Sequence, residues 1–424
     1  MSGDTARKSA RATLVIGMEK SGLASVEFLI EHGANVTAAD VRPLDQIPRA
    51  RETLTRWQVP FHLQSEIPFE DFDLIVLSPG VPSDLPGLSG RDVVGEVELG
   101  APDLRGPTIG ITGTNGKTTT TAMVGHILKT AGVPAQVGGN IGTPVTAMTK
   151  SSRPDQWNVL ELSSFQLETI RTFRAHVGVC LNVTQNHLDR HHTFENYASA
   201  KGNLFRTQSE NDFAVLNEND PECVKFAALA SGTVVWFNRT PLPLAELTVR
   251  GQHNIENAMA AAAAARLAGV TEEAIAEALS TFRAVEHRLE FVRNLRGVDF
   301  YNDSKATSVD ATLKALESFA GGLWVILGGK DKGSDYTPLR APLKAKAHAA
   351  LLIGEAATKI AADLGDAVPL IASGTLDRAV REASERAVPG DTVLLAPACA
   401  SFDQFKSFEH RGKVFKELVH GTTA

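Results

Sequence analysis

Short apolar runs alternate along this chain with amphipathic stretches of helical spacing. Residues 13–17 form one run, 22–32 a helix-like stretch, 35–39 a second run that ends at Asp40, and 73–77 a third that ends in Ser-Pro-Gly. Apolar runs bounded by turn residues predict buried strands, and their alternation with helices predicts an α/β unit with a parallel sheet. That unit closes in the Pro/Gly-rich region between Val81 and Pro107. A second unit opens with a strand over 108–112. It continues through predicted strands 158–162, 176–183, 212–217 and 233–237 to a helix over 254–268. A third starts near His287, with predicted strands 298–301, 323–327, 349–353, 368–372 and 392–395. A single core seldom grows past roughly 250–300 residues. The 424 residues are therefore read as three domains, 1–95, 96–286 and 287–424.

Composition narrows the class. With 43% hydrophobic and 21% charged residues, the chain reads as an ordinary soluble globular protein. A net charge of −7 leaves no broad basic field, so neither nucleic acid nor a membrane surface is expected as a partner. Cys180, Cys223 and Cys399 are odd in number and include no C-x-x-C pair. That argues against a disulfide framework or a zinc ribbon and fits a reducing cytoplasm. Residues 1–17 lack the apolar core of a signal peptide. The alanine stretch 258–265 reads as a packed helix, too short to span a bilayer.

The strongest local motif is Ile109-Gly-Ile-Thr-Gly-Thr-Asn-Gly-Lys-Thr-Thr-Thr-Thr121, a strand that runs through a glycine-rich turn into a helix near Lys117. Glycines let backbone N–H groups curl around a phosphate, and the helix N-terminus adds its dipole. Lys117 can reach terminal phosphates and the Thr118 hydroxyl can ligate Mg2+. The spacing departs from G-x-x-x-x-G-K-[ST], whose first glycine would fall at Ile111. On residues alone, a glycine-rich turn with a solvated lysine stays open.

Other residues are equally two-sided. Glu161 ends an apolar strand, where it either faces a ligand crevice or caps the next turn. His187 and His191 have the i, i+4 spacing of a helical zinc pair, but no third ligand suggests itself, and a polar loop of solvated histidines that includes His192 is the other reading. Lys201 reads as a solvated helix lysine, and Arg288 as a surface ion-pair partner. Val15-Ile-Gly-Met-Glu-Lys-Ser-Gly22 is a degenerate dinucleotide turn. Glu19 replaces the glycine that admits a pyrophosphate, which disfavours a dehydrogenase, while Asp40 sits where a ribose-binding acid would.

The segment Thr112-Gly-Thr-Asn-Gly-Lys-Thr118 resembles the phosphate loop of the Mur ligase and folylpolyglutamate synthetase superfamily. Gly138-Gly-Asn-Ile-Gly142, Glu161-Leu-Ser-Ser-Phe-Gln-Leu-Glu168, Asn182-Val-Thr-Gln-Asn-His-Leu-Asp189, Gly251-Gln-His-Asn254 and His287-Arg288 are similar to its motifs, in its order. Asn302-Asp-Ser-Lys-Ala-Thr307 and Pro397-Ala-Cys-Ala-Ser-Phe-Asp-Gln-Phe405 resemble the D-glutamate-adding branch in particular. The resemblance implies a Rossmann-like N-terminal UDP-binding domain, a central P-loop ATPase-like domain and a C-terminal Rossmann-like domain for the amino acid. It implies a cytoplasmic, monomeric ligase that joins D-glutamate to UDP-N-acetylmuramoyl-L-alanine through an acyl phosphate, with ATP and Mg2+.

Residue by residue, the resemblance implies that Gly113, Thr114, Asn115, Gly116, Lys117 and Thr118 cradle ATP, with Asn257, Arg288 and Asp303 around its adenine and ribose-phosphates. ATP would then lie between the central and C-terminal domains. Thr118, Glu161 and His187 would ligate two Mg2+ ions, beside a Lys201 carbamylated by CO2. Ser21, Asp40, Arg42 and Gly80 would hold UDP, and Asn140 the muramoyl end. Thr307, Lys332, Ser401 and Phe408 would receive D-glutamate, and Lys305 would lie near the reacting phosphate. Lys20 offers further positive charge to the pyrophosphate, and Lys330 rivals Lys332 on charge alone. Glu286 departs from the family's usual proline before His287. The N-terminal domain argues against a folylpolyglutamate synthetase, and residues 302–307 and 401–405 argue against a different Mur ligase. The non-enzymatic alternative, a nucleotide-gated binding protein, is disfavoured by Glu161, His187 and Lys201 together.

Overall fold

The computed structural model describes residues 11–239, 241–243, 252–283 and 286–422, apart from the side chain of Asp189. Gly251, quoted with its motif, and residues 1–10 of the leader reading lie outside the described residues. The chain forms two compact units, residues 1–245 with 256–279, and residues 246–255 with 280–424. Among the described residues, no helix is long and apolar enough to cross a membrane.

The first unit holds two sheets. One is built from β1 (Ala12–Ile16), β2 (Asn35–Asp40), β3 (Phe61–Leu63), β4 (Leu74–Leu77) and β5 (Val93–Gly95), all parallel, in the order β3-β2-β1-β4-β5. Leu14, Val15 and Ile16 are wholly buried, as a central parallel strand covered on both faces requires. From β1 the chain adds β2 and β3 on one side, then returns to add β4 and β5 on the other. That reversal leaves a crevice at the carboxyl ends of β1 and β4, where open α/β sheets bind ligands. The second sheet uses β6 (Thr108–Thr112), β7 (Ala135–Gly139), β8 (Trp157–Glu161), β9 (Val177–Cys180), β10 (Phe213–Leu216) and β11 (Thr233–Trp236). It is parallel in the order β11-β10-β9-β6-β8-β7, which places the phosphate-loop strand β6 between β8 and β9.

The second unit holds one sheet of β12 (Glu290–Leu295), β13 (Val298–Asn302), β14 (Leu323–Gly328), β15 (Ala347–Ile353), β16 (Leu370–Gly374) and β17 (Thr392–Leu395), in the order β12-β13-β17-β14-β15-β16. Strand β12 runs antiparallel to β13, while the other pairs are parallel. The apolar pattern misses β3, β5, β7 and β12, and all four are edge strands. An edge buries less side chain and needs no continuous apolar run. Ala135-Gln-Val-Gly-Gly139 becomes a strand only through five-residue pairing with β8. Strand β9 ends at Cys180 rather than at residue 183, because the residues beyond it leave the sheet for the phosphate loop. The helix Gln252–Leu267 packs as expected, with Ala258 and residues 260–265 all buried.

Candidate active site

The turn between β6 and the helix Lys117–Thr130 is shaped by a close approach. Gly116 has φ +84°, and a Cβ there would lie 2.2 Å from Asn257 Oδ1. Thr120 Oγ1 also donates to that oxygen at 3.3 Å. The segment leaving β9 supplies the floor: Thr114 N donates to Asn182 O at 2.8 Å and Asn115 N to Asn182 Oδ1 at 2.9 Å. Lys117 is half-buried, and its Nζ donates to Gly113 O and Thr114 O, both at 2.8 Å. The ammonium is thus held at the loop by the loop's own carbonyls and is not a solvated lysine.

Ile111 and Glu161 are paired in register, so Glu161 stands at a carboxyl strand end beside this loop. The turn that follows is capped by Ser163 and Gln166, which removes the capping reading of Glu161. Glu161 Oε1 accepts from Asn140 Nδ2 at 2.9 Å; Oε2 is buried without a hydrogen-bond partner among the described residues. An orphaned buried acceptor costs about 1–3 kcal/mol, more if charged, so this oxygen fits a hard cation. Among the described residues no three His, Cys, Asp or Glu side chains form a metal cage. Mg2+ here would draw on the Thr118 hydroxyl, phosphate oxygens and water for much of its shell.

Lys201 overturns the solvated-lysine reading, because it is wholly buried on the inner face of the helix Phe194–Arg206. Its Nζ donates to Gly113 O at 2.9 Å, the same oxygen that receives Lys117, and lies 4.7 Å from the Tyr197 ring centroid. Burial, reinforced by the neighbouring Lys117 charge, holds this amine well below the usual lysine range. The three histidines do not converge. His191 is buried with Nε2 3.0 Å from Ser164 Oγ, and His192 Nε2 is 3.1 Å from Asp84 Oδ2. His187 is exposed, in a left-handed conformation at φ +52°, with its ring edge-on to Phe165 at 5.0 Å. The zinc reading is withdrawn, and so is the solvated reading of His191.

A cavity of about 420 Å3 opens at the switch point between β1 and β4, and Ser21, Asp40, Arg42, Gly80 and Asn140 all line it, with Lys20 and Val41. Asp40 is buried and accepts from Met18 N at 2.7 Å and from Arg42 N and Nε at 2.9 and 3.1 Å. Burial works to raise its pKa, but these bonds outweigh it and hold the carboxyl below the usual range. Arg42 also donates to Glu19 Oε1 at 2.8 Å, so Asp40 and Glu19 together orient the guanidinium at the cavity. Lys20 Nζ donates to Gly142 O. Val41, 69% exposed, adds apolar surface to the cavity lining, and sequence reasoning passed over it.

In the second unit, residues 303–307, 329–332 and 396–401 leave the carboxyl ends of the adjacent strands β13, β14 and β17. Lys305 Nζ lies 5.9 Å from the Phe408 ring centroid, and Ser304 Oγ donates to Phe408 O at 2.8 Å. Ser401 is buried, Thr307 is half-buried, and Lys330 and Lys332 are both exposed. Asp303 is buried, accepts from Leu289 N at 3.3 Å, and is pushed up to about 6 by burial against the opposing charge of Arg288. Arg288 Nε is buried without a partner among the described residues, so the guanidinium retains a donor for an anion. Glu286 accepts from Lys416 Nζ at 2.6 Å, and Lys416 also reaches Glu290 at 3.0 Å. This clamp fixes the turn in which His287 and Leu289 have positive φ.

Three Mur ligase family models match the chain: a MurD-like N-terminal domain over residues 11–95, the Mur ligase middle domain over 111–242 and the glutamate ligase domain over 287–399. A Solibacter usitatus protein named UDP-N-acetylmuramoylalanine--D-glutamate ligase is 62% identical over 96% of this chain and 97% of its own. An Acidobacterium capsulatum protein of the same name is 49% identical over 96% of each chain. The chain belongs to the Mur ligase family. Two solved structures share the fold. A Thermotoga maritima MurF ligase in complex with ADP has a TM-score of 0.63 at 17% identity, covering 97% of this chain and 98% of that one. A pseudomurein peptide ligase type C from Methanothermus fervidus has a TM-score of 0.59 at 20% identity, covering 97% and 99%.

For this Mur ligase, sequence reasoning missed one central residue of the second unit. Arg411 is wholly buried and donates to Ser304 Oγ at 3.0 Å, Ser304 O at 2.8 Å, Cys399 O at 3.2 Å, Ala400 O at 3.3 Å and Gly328 O at 3.5 Å. One side chain therefore joins the 303–307 and 396–401 loops and reaches the last residue of β14. The signal was positional: Arg411 lies three residues after Phe408 and four before Phe415, on the buried stripe of the helix Phe408–Gly421.

Proposed function

We propose that this Mur ligase joins D-glutamate to UDP-N-acetylmuramoyl-L-alanine, with ATP converted to ADP and phosphate, in the cytoplasmic synthesis of a peptidoglycan precursor. The observation that carries the reading is Asn140. It lines the nucleotide-sugar cavity of the first domain and donates to Glu161, which is paired in register beside the phosphate loop. The carboxylate of a substrate anchored in that cavity thus has a route to the γ-phosphate. The amino-terminal match to a MurD-like domain and the names of the relatives favour the D-glutamate-adding branch.

A carboxylate is a poor electrophile. Transfer of the γ-phosphoryl group makes an acyl phosphate, which the amine of D-glutamate attacks with loss of phosphate. The protein's share is positioning and charge neutralisation. The helix start at 116–118 and the Lys117 ammonium receive the phosphates, while Asn182 holds the N–H groups of Thr114 and Asn115 and Asn257 braces the turn at Gly116. Glu161, Thr118 and His187 would hold Mg2+, which would neutralise phosphate charge. The Lys201 amine, whose hold on its proton burial weakens, takes up CO2 as a carbamate, releasing a proton, and so would present an anion to the metal side. Arg288 and Asp303 meet the nucleotide, and Thr307, Lys332, Ser401 and Phe408 receive D-glutamate with Lys305 near the phosphate. The enzyme acts as a monomer.

The test is phosphate release with UDP-N-acetylmuramoyl-L-alanine, ATP and a panel of single amino acids. Turnover with D-glutamate alone is expected. Equal turnover with L-alanine, L-lysine or diaminopimelate would refute the branch, and ATP hydrolysis without any amide product would refute ligation.

A further inference from the structure

The loop after β4 does more than line the nucleotide-sugar cavity. It continues through Val81 and Ser83 into a polar junction with the segment that carries His187. Arg190, with only 12% of its side chain exposed, donates through one Nη2 to Val81 O at 2.8 Å and to Glu168 Oε2 at 3.1 Å. Ser83 Oγ donates to the other oxygen of Glu168 at 2.7 Å, so the carboxylate is gripped from both sides of the junction. The Arg190 guanidinium also lies 5.1 Å from the Phe165 centroid. Phe165 in turn stacks on His191 at 5.4 Å and meets His187 edge-on at 5.0 Å. A continuous path therefore runs from the cavity loop through Arg190 and Phe165 to the His187 ring. His187 sits at φ +52°, a left-handed backbone that surrounding contacts must hold in place.

We propose that Arg190, paired with Glu168, is a positioning residue through which occupancy of the nucleotide-sugar cavity sets the His187 segment for reaction. The inference rests on the reading of that cavity as the UDP site. A ligand that fixes residues 78–82 fixes the Val81 carbonyl, and with it the guanidinium that Phe165 packs against, and Phe165 in turn meets the His187 ring. Coupling of this kind needs a physical link between two sites, and the Arg190 link is short, largely buried and charge-assisted.

The test compares the unmodified enzyme with Arg190→Met, Arg190→Lys and Glu168→Gln. Calorimetry measures UDP-N-acetylmuramoyl-L-alanine binding without ATP or metal, and amide hydrogen exchange follows residues 186–192 with and without that ligand. In the unmodified enzyme, the ligand is expected to slow exchange in this segment. In Arg190→Met, affinity should stay within about 3-fold while the exchange response disappears and kcat falls about 10- to 100-fold, the range for one charge-assisted bond. Lysine can satisfy both contacts of the single Nη2, so Arg190→Lys should recover much of the response. An intact exchange response and a kcat within about 2-fold in Arg190→Met would overturn the proposal. If Arg190→Met does not fold, Glu168→Gln decides on the same two readouts. Failure of the ligand to bind the unmodified enzyme, or to protect residues 78–82, would instead sink the cavity assignment.

Discussion

Replacing Arg411 by methionine should loosen the amino-acid side of the site more than any change at the exposed lysines. Methionine keeps an apolar stem of similar length, so the main loss is the guanidinium. Of its five contacts, the 3.5 Å approach to Gly328 O contributes little, and Ala400 O keeps the N–H of Lys330 at 2.9 Å. The bonds to Ser304 Oγ, Ser304 O and Cys399 O remain, each worth about 1.5–3 kcal/mol with a charged donor. Against this stands the relief of burying a cation, visible in an Arg411 pKa pushed down to about 10 by burial. The balance is a loss of about 3–5 kcal/mol, and at about 2–4 °C per kcal/mol for a unit of this size the melting point should fall by roughly 6–20 °C. Because the bonds join the loops that leave β13 and β17, KM for D-glutamate should rise about 10-fold or more, while calorimetric binding of the UDP substrate in the other unit stays unchanged. Arg411→Lys, with three donors on a flexible stem, should fall between. A melting point within 2 °C of the parent (about 0.5–1 kcal/mol) and an unchanged KM for D-glutamate would show that Arg411 does not organise these loops.

Three further outcomes are expected. Lys117→Ala should abolish ligation while UDP-N-acetylmuramoyl-L-alanine still binds, because Lys117 sits on the phosphate loop and does not line the cavity; near-normal ATP-dependent turnover would contradict the loop assignment. Lys201→Ala should be nearly inactive and partly restored by short carboxylates; rescue by small amines alone, with no added mass on the lysine under CO2, would favour a cationic lysine instead. Glu96 is buried, with Oε1 accepting from Thr146 N at 2.6 Å and Oγ1 at 2.8 Å, and burial pushes it up to about 7 despite those bonds. The folded state therefore keeps a proton that the unfolded chain releases near 4.5, and stability should fall as pH rises from about 4.5 to about 7, by roughly 2–4 kcal/mol in all. Glu96→Gln mimics the protonated form and should remove that pH-dependent loss; an unchanged pH profile in denaturant titrations would rule the mechanism out.

The sequence by itself determined the central strands and the phosphate loop. A parallel strand buried on both faces must be apolar throughout, as Leu14 to Ile16 are, and a turn with positive φ and no room for a side chain needs glycine, as at Gly116. It also marked Ser21, Asp40, Arg42, Gly80 and Asn140, which line one cavity. Tertiary structure alone decided what depends on partners distant in the chain. The edge strands β3, β5, β7 and β12 exist through pairing rather than through their own composition. Lys201 looks like a surface lysine on its helix until folding buries it against Gly113, where desolvation and Lys117 lower its proton affinity. Arg411 looks like one more charge in Glu409-His-Arg-Gly-Lys413, and only the convergence of the loops after β13 and β17 with the end of β14 gives its five donor contacts something to bind. Burial and long-range hydrogen bonding are properties of the folded surface, and no local pattern encodes which polar side chain will be the one enclosed.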